Sequence, residues 1–310
     1  MPNADGQRDF NSTDIWPSLP LDAWQDTYAT LHMWTQIVGK IRLVLSPPVN
    51  HWWHVTLYVT PRGLTTSAIP YGQRTFAIDF DFIAHRLLIT TSAGATSALT
   101  LAPRTVADFY GELMATLRAL DIDVVIRALP DEVENPIPFA EDDQHAAYDA
   151  EYAHRFWRIL VQADRVFKVF RGRFVGKCSP VHFFWGAFDL AVTRFSGRRA
   201  PAEPGADAVM REAASHEEIS CGFWPGSGAI QAPAFYSYTS PAPAGLAREP
   251  IRPRQAFYSP EFSQFILLYE DVRQADEPDE VLLEFLHSTY EAGAKLAHWD
   301  RAALERTTAA

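Results

Sequence analysis

Four short stretches of this 310-residue chain hold the side chains that could do chemistry. His51-Trp52-Trp53-His54 offers two imidazoles. On a strand, residues three apart face opposite ways, so the pair could share a metal only from a turn after Pro48. The plainer expectation is the aromatic start of a strand, with both histidines hydrogen-bonded. Lys177-Cys178-Ser179-Pro180-Val181-His182 puts an amine, a thiol and an imidazole into one proline-broken loop. A thiol beside Lys or His can become thiolate, the nucleophilic form. No nucleophile signature surrounds Cys178, however, and a free cysteine ordinarily packs as a small hydrophobe.

Asp189 interrupts the otherwise apolar run Phe183–Val192. A carboxylate there needs a partner or its pKa must rise. The expectation is an ion pair with Arg194 or Lys177, and the alternative is a functional acid or base. Ser215-His216-Glu217-Glu218 supplies a nitrogen ligand and carboxylates, or a base with its orienting group. His182, His216 and Glu217 are the metal candidates, since two histidines and one carboxylate can hold an ion with open positions. Their spacing matches no metal signature, and no cofactor is specified. Trp224 and the run Phe235-Tyr236-Ser237-Tyr238 add rings and hydroxyls that could wall a small-molecule pocket. Plain packing beneath a proline-rich loop is the alternative. No nucleotide-binding glycine loop, GxSxG or CxxC is present.

The elements that must position these groups follow from periodicity. A helix is expected from a capping box at Asp22 and Gln25 to Leu45, ended by Pro47-Pro48. Strands are expected at 51–59 and 75–82, and a hairpin at 86–101 turning through Ser92–Ala95. A second helix starts at the Thr105 cap. Tyr152, Phe156, Leu160, Ala163, Phe167, Phe170 and Phe174 then step by three or four along one face of the clearest helix. Further strands are expected at 183–194, 219–224, 235–238 and 262–269, with a loop at 196–207 and a last helix at 281–296.

These elements group as a polar arm (1–20), a first α+β half (21–128), an acidic proline-containing linker (129–145) and a second α+β half (146–310). Residues 225–253 of the second half hold six prolines and read as a covering loop. The halves echo each other. Val38-Gly39-Lys40 before Ser46-Pro47 and His51 resembles Val175-Gly176-Lys177 before Ser179-Pro180 and His182. The expected fold is α+β, with two related, helix-flanked, mainly antiparallel sheets forming a pseudo-dimer. The alternative is one continuous sheet with helices on one face.

Composition narrows the function class. The chain is 47% hydrophobic, 21% charged and 13% aromatic, the balance of a packed globular protein. A net charge of -11 argues against general affinity for nucleic acid or an anionic membrane. Ten acids within 121–151 precede ten Lys or Arg within 152–199; the expectation is that these stretches partly neutralise each other or form solvated helix faces, and the alternative is an anion site beside Lys177, Arg194 and Arg198. Two cysteines, no long apolar run and no leader-like N-terminus give the expectation of a cytoplasmic location.

WQDTYATLHMWTQIVGKIRL, NHWWHVTLYVTPRGL, FVGKCSPVHFFWGAFDLAVTRFSGRRAP and SHEEISCGFWPG resemble the bacterial family known as domain of unknown function 5996. The resemblance runs from about Trp16 to Trp299. It implies a bacterial cytoplasmic protein and no activity.

The leading expectation is a small-molecule enzyme with a cleft between the halves. His182 and His216 would form its polar centre, oriented by Asp189 and Glu217. Arg194, with Lys177, would hold an anionic substrate group, and Trp224, Tyr236 and His51 would line the walls. A non-catalytic binding protein and an assembly component are the alternatives, and the oligomeric state is open.

Overall fold

The computed structural model describes residues 15–201, Gly205 and 208–306. Residues 1–14 of the polar arm and parts of the 196–207 loop lie outside that range. The first helix, α1 (Gln25–Leu45), forms where expected, but without the Asp22 cap: Asp22 lies in a 3-10 turn, and α1 has no side-chain cap. Six short strands follow: β1 (Tyr58–Thr60), β2 (Gly63–Thr65), β3 (Ile69–Tyr71), β4 (Arg74–Asp81), β5 (Arg86–Thr91) and β6 (Thr96–Thr100). In β4 the alternation predicted from sequence buries Phe76, Ile78 and Phe80. Helix α2 (Val106–Ala119) starts where the Thr105 hydroxyl accepts from the Asp108 N–H at 3.0 Å.

Residues 129–145 contain one 3-10 turn (Phe139–Glu141) and pack back onto the first half through Lys40 and Asp131. Helix α3 (Ala150–Gly172) is capped by Asp149 and buries Phe156, Leu160, Ala163, Phe167 and Phe170, the ridge seen in the sequence. The second set of strands is β7 (His182–Phe184), β8 (Asp189–Arg199), β9 (His216–Trp224), β10 (Ala234–Ser240), β11 (Phe257–Ser259) and β12 (Gln264–Leu268). Helix α4 (Ala208–Ala213) precedes β9; α5 (Tyr269–Arg273), α6 (Pro278–Leu296) and α7 (Arg301–Leu304) close the chain.

The described residues thus form seven helices and two six-stranded antiparallel sheets, an α+β arrangement. The sheets meet edge to edge. Leu57 and Phe183 exchange backbone hydrogen bonds of 2.9 and 2.8 Å, which sets β1 beside β7. Each half starts with a long helix, holds six strands and ends in helix; in the second half the short α4 interrupts the strands between β8 and β9. No helix among the described residues is long and apolar enough to cross a membrane.

Three expectations are corrected. Residues 51–59 are not one strand: His51 and Trp52 both have positive φ, in a tight turn before β1. The run 183–194 is broken by a turn at 185–188, where Phe188 has φ 57°, so β7 and β8 form a hairpin. Strand β8 continues through Arg199 instead of becoming a loop at Ser196.

Candidate functional site

Strand alternation divides the second sheet into two unlike faces. Leu190, Val192, Ile219, Cys221, Phe223, Phe235 and Leu267 point towards α3 and α6 and belong to the main core. Arg194 is on this side too, 1% exposed. Its guanidinium lies 3.5 Å from the Phe170 ring centroid and 4.4 Å from that of Tyr290, donates to the Phe170 carbonyl, and has no carboxylate partner among the described residues. Buried in this way, it cannot reach a substrate on the opposite face.

The opposite face carries the titratable side chains, and the register orders them in rows. Phe195 N–H donates to the Lys177 carbonyl, and Cys178 bridges Arg194, so Lys177 falls beside Phe195. Phe195 pairs with Glu218, and Glu218 with Ser240. The next row is Ser179, Thr193, Ser220 and Tyr238, with the Thr193 and Ser220 hydroxyls 2.9 Å apart. A third row is His182, Ala191, Gly222, Tyr236 and Ile266. Ala191, Ala234, Tyr236 and Ile266 form a small apolar cluster to which no helix contributes.

The first row makes the most reactive group. The Lys177 amine lies 2.5 Å from His51 Nε2. It also sits over two rings, 4.9 Å from the Phe195 centroid and 5.6 Å from that of Trp53. The Nδ1 of His51 is 2.8 Å from the Ala213 carbonyl, which only accepts, so Nδ1 carries the proton and Nε2 is the acceptor facing Lys177. The left-handed turn at His51 (φ 57°) holds the ring there, a conformation that a non-glycine residue keeps only when its surroundings enforce it. His216 stands edge-on to His51, with centroids 5.4 Å apart.

Burial lowers the pKa of Lys177, with the nearby Glu218 charge opposing. Burial also lowers His51, against the Ala213 hydrogen bond and with help from the Lys177 charge. Glu218 is pushed up to about 7 by burial, although a 3.2 Å hydrogen bond from the Tyr238 hydroxyl and the Lys177 charge both pull it down. The row therefore presents an amine with a lowered pKa, a neutral imidazole that accepts its hydrogen bond, and a carboxyl that near neutrality can still donate a proton. His51 and Trp53 come from the first half; Lys177, Phe195, Glu218 and Tyr238 come from the second.

Asp189 lies at the far end of the same face. Its expected ion pair does not form, because Asp189 and Arg194 are five residues apart and point to opposite sides of β8. The Tyr236 hydroxyl donates to Asp189 instead, crossing Gly222, where a Cβ would sit 2.3 Å from the tyrosine ring. Burial pushes Asp189 up to about 7 against that hydrogen bond, and Glu132 pushes it the same way.

His182 and His216 do not converge. They pair with Ala191 and Arg199 at different levels of β8, and the rings of His51 and Trp53 stand between them: His216 lies 5.4 Å from His51, and His182 5.6 Å from Trp53. His182 is 1% exposed, boxed by Trp53, Tyr58 and Phe184, and both ring nitrogens lack a hydrogen-bond partner. Burial lowers it to about 3, so it is neutral. Glu217 points to the other face from His216 and is bound by Arg198 at 2.6 Å and by the Ser196 hydroxyl at 2.9 Å. It borders a hollow of about 190 Å³ lined also by Thr239, Pro241, Pro243 and Trp299, where Arg198 neutralises its charge. The set His182, His216 and Glu217 is therefore not assembled, and no trio of His, Cys, Asp or Glu comes together among the described residues.

Trp224 donates to the Ser227 hydroxyl at 3.3 Å and packs on Phe262. Burial raises the Cys178 thiol against the charges of Arg194 and Arg171, so it is no ready nucleophile. His54 Nδ1 accepts from the Val49 N–H at 3.2 Å.

Sequence reasoning gave Lys177 an anion-holding role and His51 a place on the wall, and missed Glu218, Tyr238, Trp53 and Phe195. One signal was present: in a strand, His216 shares its face with Glu218, not with Glu217. The model of a family of unknown function, DUF5996, matches residues 16–306. No curated protein and no solved structure matches the chain.

Proposed function

The chain belongs to the DUF5996 family, whose name carries no activity, and we propose that it is a cytoplasmic small-molecule enzyme working by proton transfer at the Lys177 row. Lys177 is the base or nucleophile, His51 positions it and receives its proton, and Glu218 is the acid, held by Tyr238. Trp53 and Phe195 provide the apolar walls. The observation that carries this reading is the Lys177–His51 hydrogen bond, with the imidazole tautomer set by the Ala213 carbonyl. Such a tautomer-locked pair serves no packing need that a salt bridge would not meet better. The same reading treats the halves as copies of one unit, supported by their common order of elements and by a site to which both contribute.

The test is turnover in a complex extract. Purified protein is incubated with a bacterial small-molecule extract and followed by untargeted mass spectrometry. Depletion of one compound with growth of another, absent in Lys177→Met and Glu218→Gln, is the expected result. A compound that binds and shifts the melting temperature without being converted would assign the chain to the binding proteins instead.

A further inference from the structure

Resting on that reading, we propose that Lys177 is an imine-forming residue and that the substrate is a small aldehyde or ketone bearing a carboxylate. Four lysines occur in the chain: Lys40, Lys168, Lys177 and Lys295. Lys40 is ion-paired with Asp131, Lys168 with Asp164 and Lys295 with Glu249. Among the described residues Lys177 has no carboxylate within ion-pair distance, and its partner is a neutral imidazole. An ammonium against a carboxylate keeps its proton; against a basic nitrogen in a partly desolvated place it gives the proton up more readily. Only the free amine attacks a carbonyl carbon.

The neighbouring groups match the remaining steps. His51 Nε2 takes one proton from the ammonium, and the amine nitrogen bonds to the carbonyl carbon as the C=O electron pair moves onto oxygen. A second nitrogen proton passes to that oxygen, giving a neutral carbinolamine. Glu218 then protonates the hydroxyl, the C–O bond breaks, and water leaves an iminium on Lys177. The proton held by His51 returns to Glu218 through solvent, so ammonium and carbonyl become iminium and water with nothing else consumed. Tyr238, which donates to Glu218 at 3.2 Å, supports the carboxylate formed when its proton is given away.

Charge selects the rest of the substrate. Arg199 pairs with His216 in the sheet, is exposed, and makes no ion pair among the described residues. With Glu218 protonated, Lys177 and Arg199 outweigh the nearby carboxylate of Glu212, which favours an anion.

Imine capture with glyoxylate and cyanoborohydride at pH 7 tests this directly, read by peptide mapping. Carboxymethylation of Lys177 is expected at least about tenfold faster than of Lys168 or Lys295. It should vanish in Lys177→Arg, and in His51→Gln its pH profile should move to higher pH while the fold, checked by circular dichroism, is kept. A neutral aldehyde, propionaldehyde, should label Lys177 more slowly than glyoxylate, and Arg199→Ala should remove that difference. Labelling of Lys177 no faster than of the exposed lysines would overturn the proposal. If extract turnover still depends on Lys177 in that case, imine formation falls while proton transfer stands.

Discussion

Lys40 and Lys177 stand in the same tripeptide, Val38-Gly39-Lys40 and Val175-Gly176-Lys177, and meet opposite surroundings. Lys40 lies near the end of α1, buried, paired with Asp131 and 5.4 Å from the Trp185 ring centroid. Lys177 follows α3 on an irregular segment beside β8, paired with His51 and lying over Trp53 and Phe195. Each ammonium is covered by a tryptophan from the other half of the chain. The difference lies in the charge of the polar partner. A carboxylate holds the buried lysine by charge and ties the acidic segment to α1; a neutral imidazole accepts a hydrogen bond but adds no opposing charge.

Asp189 is the converse case, a buried carboxyl with no cation, and it gives the largest expected effect. Below about pH 4 both the folded and the unfolded chain keep its proton. As pH rises towards 7 the unfolded chain loses that proton and the folded chain retains it, so this group's contribution to stability falls across that window and then levels. Asp189→Asn removes the dependence. Its stability relative to the native chain should rise by on the order of 4 kcal/mol between pH 4 and pH 7–8, measured by urea unfolding. A constant difference would show that Asp189 finds a cation after all.

Exchanging the lysines tests the comparison itself. Lys40→Met removes a buried charged hydrogen bond to Asp131, which keeps Arg127 at 2.8 Å, and should cost about 2 kcal/mol. Lys177→Met should cost within about 1 kcal/mol, since it leaves no buried charge unpaired. Equal losses would mean that both lysines are structural.

The glycines before them should follow the same order. A Cβ on Gly39 falls 2.2 Å from Trp185 Cδ1, whose ring is held by a 2.7 Å hydrogen bond to the Val55 carbonyl, so Gly39→Ala should cost about 1–3 kcal/mol. At Gly176 the nearest atom is the end of the Leu304 side chain at 2.5 Å, which can swing aside, and the cost should be smaller. Glu217→Gln should have the least effect, within about 0.5 kcal/mol in stability and none on glyoxylate labelling. A loss of labelling there would move the site to the other face of β9.

Periodicity carried most of the regular structure. The Phe156-to-Phe170 ridge of α3 and the alternation in β4 are local patterns whose spacing equals the repeat of the element. The Asp22 capping box failed because the chain enters α1 through a 3-10 turn, a choice made by the packing of Trp24 and not by residue type. His51 was misplaced for a similar reason: aromatic and β-branched residues favour a strand, yet two positive φ angles put it in a turn anchored to α4, far along the chain.

Composition and spacing alone determined the α+β class, the core helices and the list of reactive side chains, because burial and repeat length act residue by residue. The alternation of SHEEISCGFW even held the information that His216 and Glu218 share a face. Which groups meet was decided by the tertiary structure. The offset between 177–179 and β8, the turn that delivers His51 and the register of β8 on β9 are long-range choices, and they place Lys177 beside an imidazole and Arg194 inside an aromatic cage. The chemistry of a charged side chain depends on its neighbours, and those neighbours come from strands and turns that local sequence does not pair.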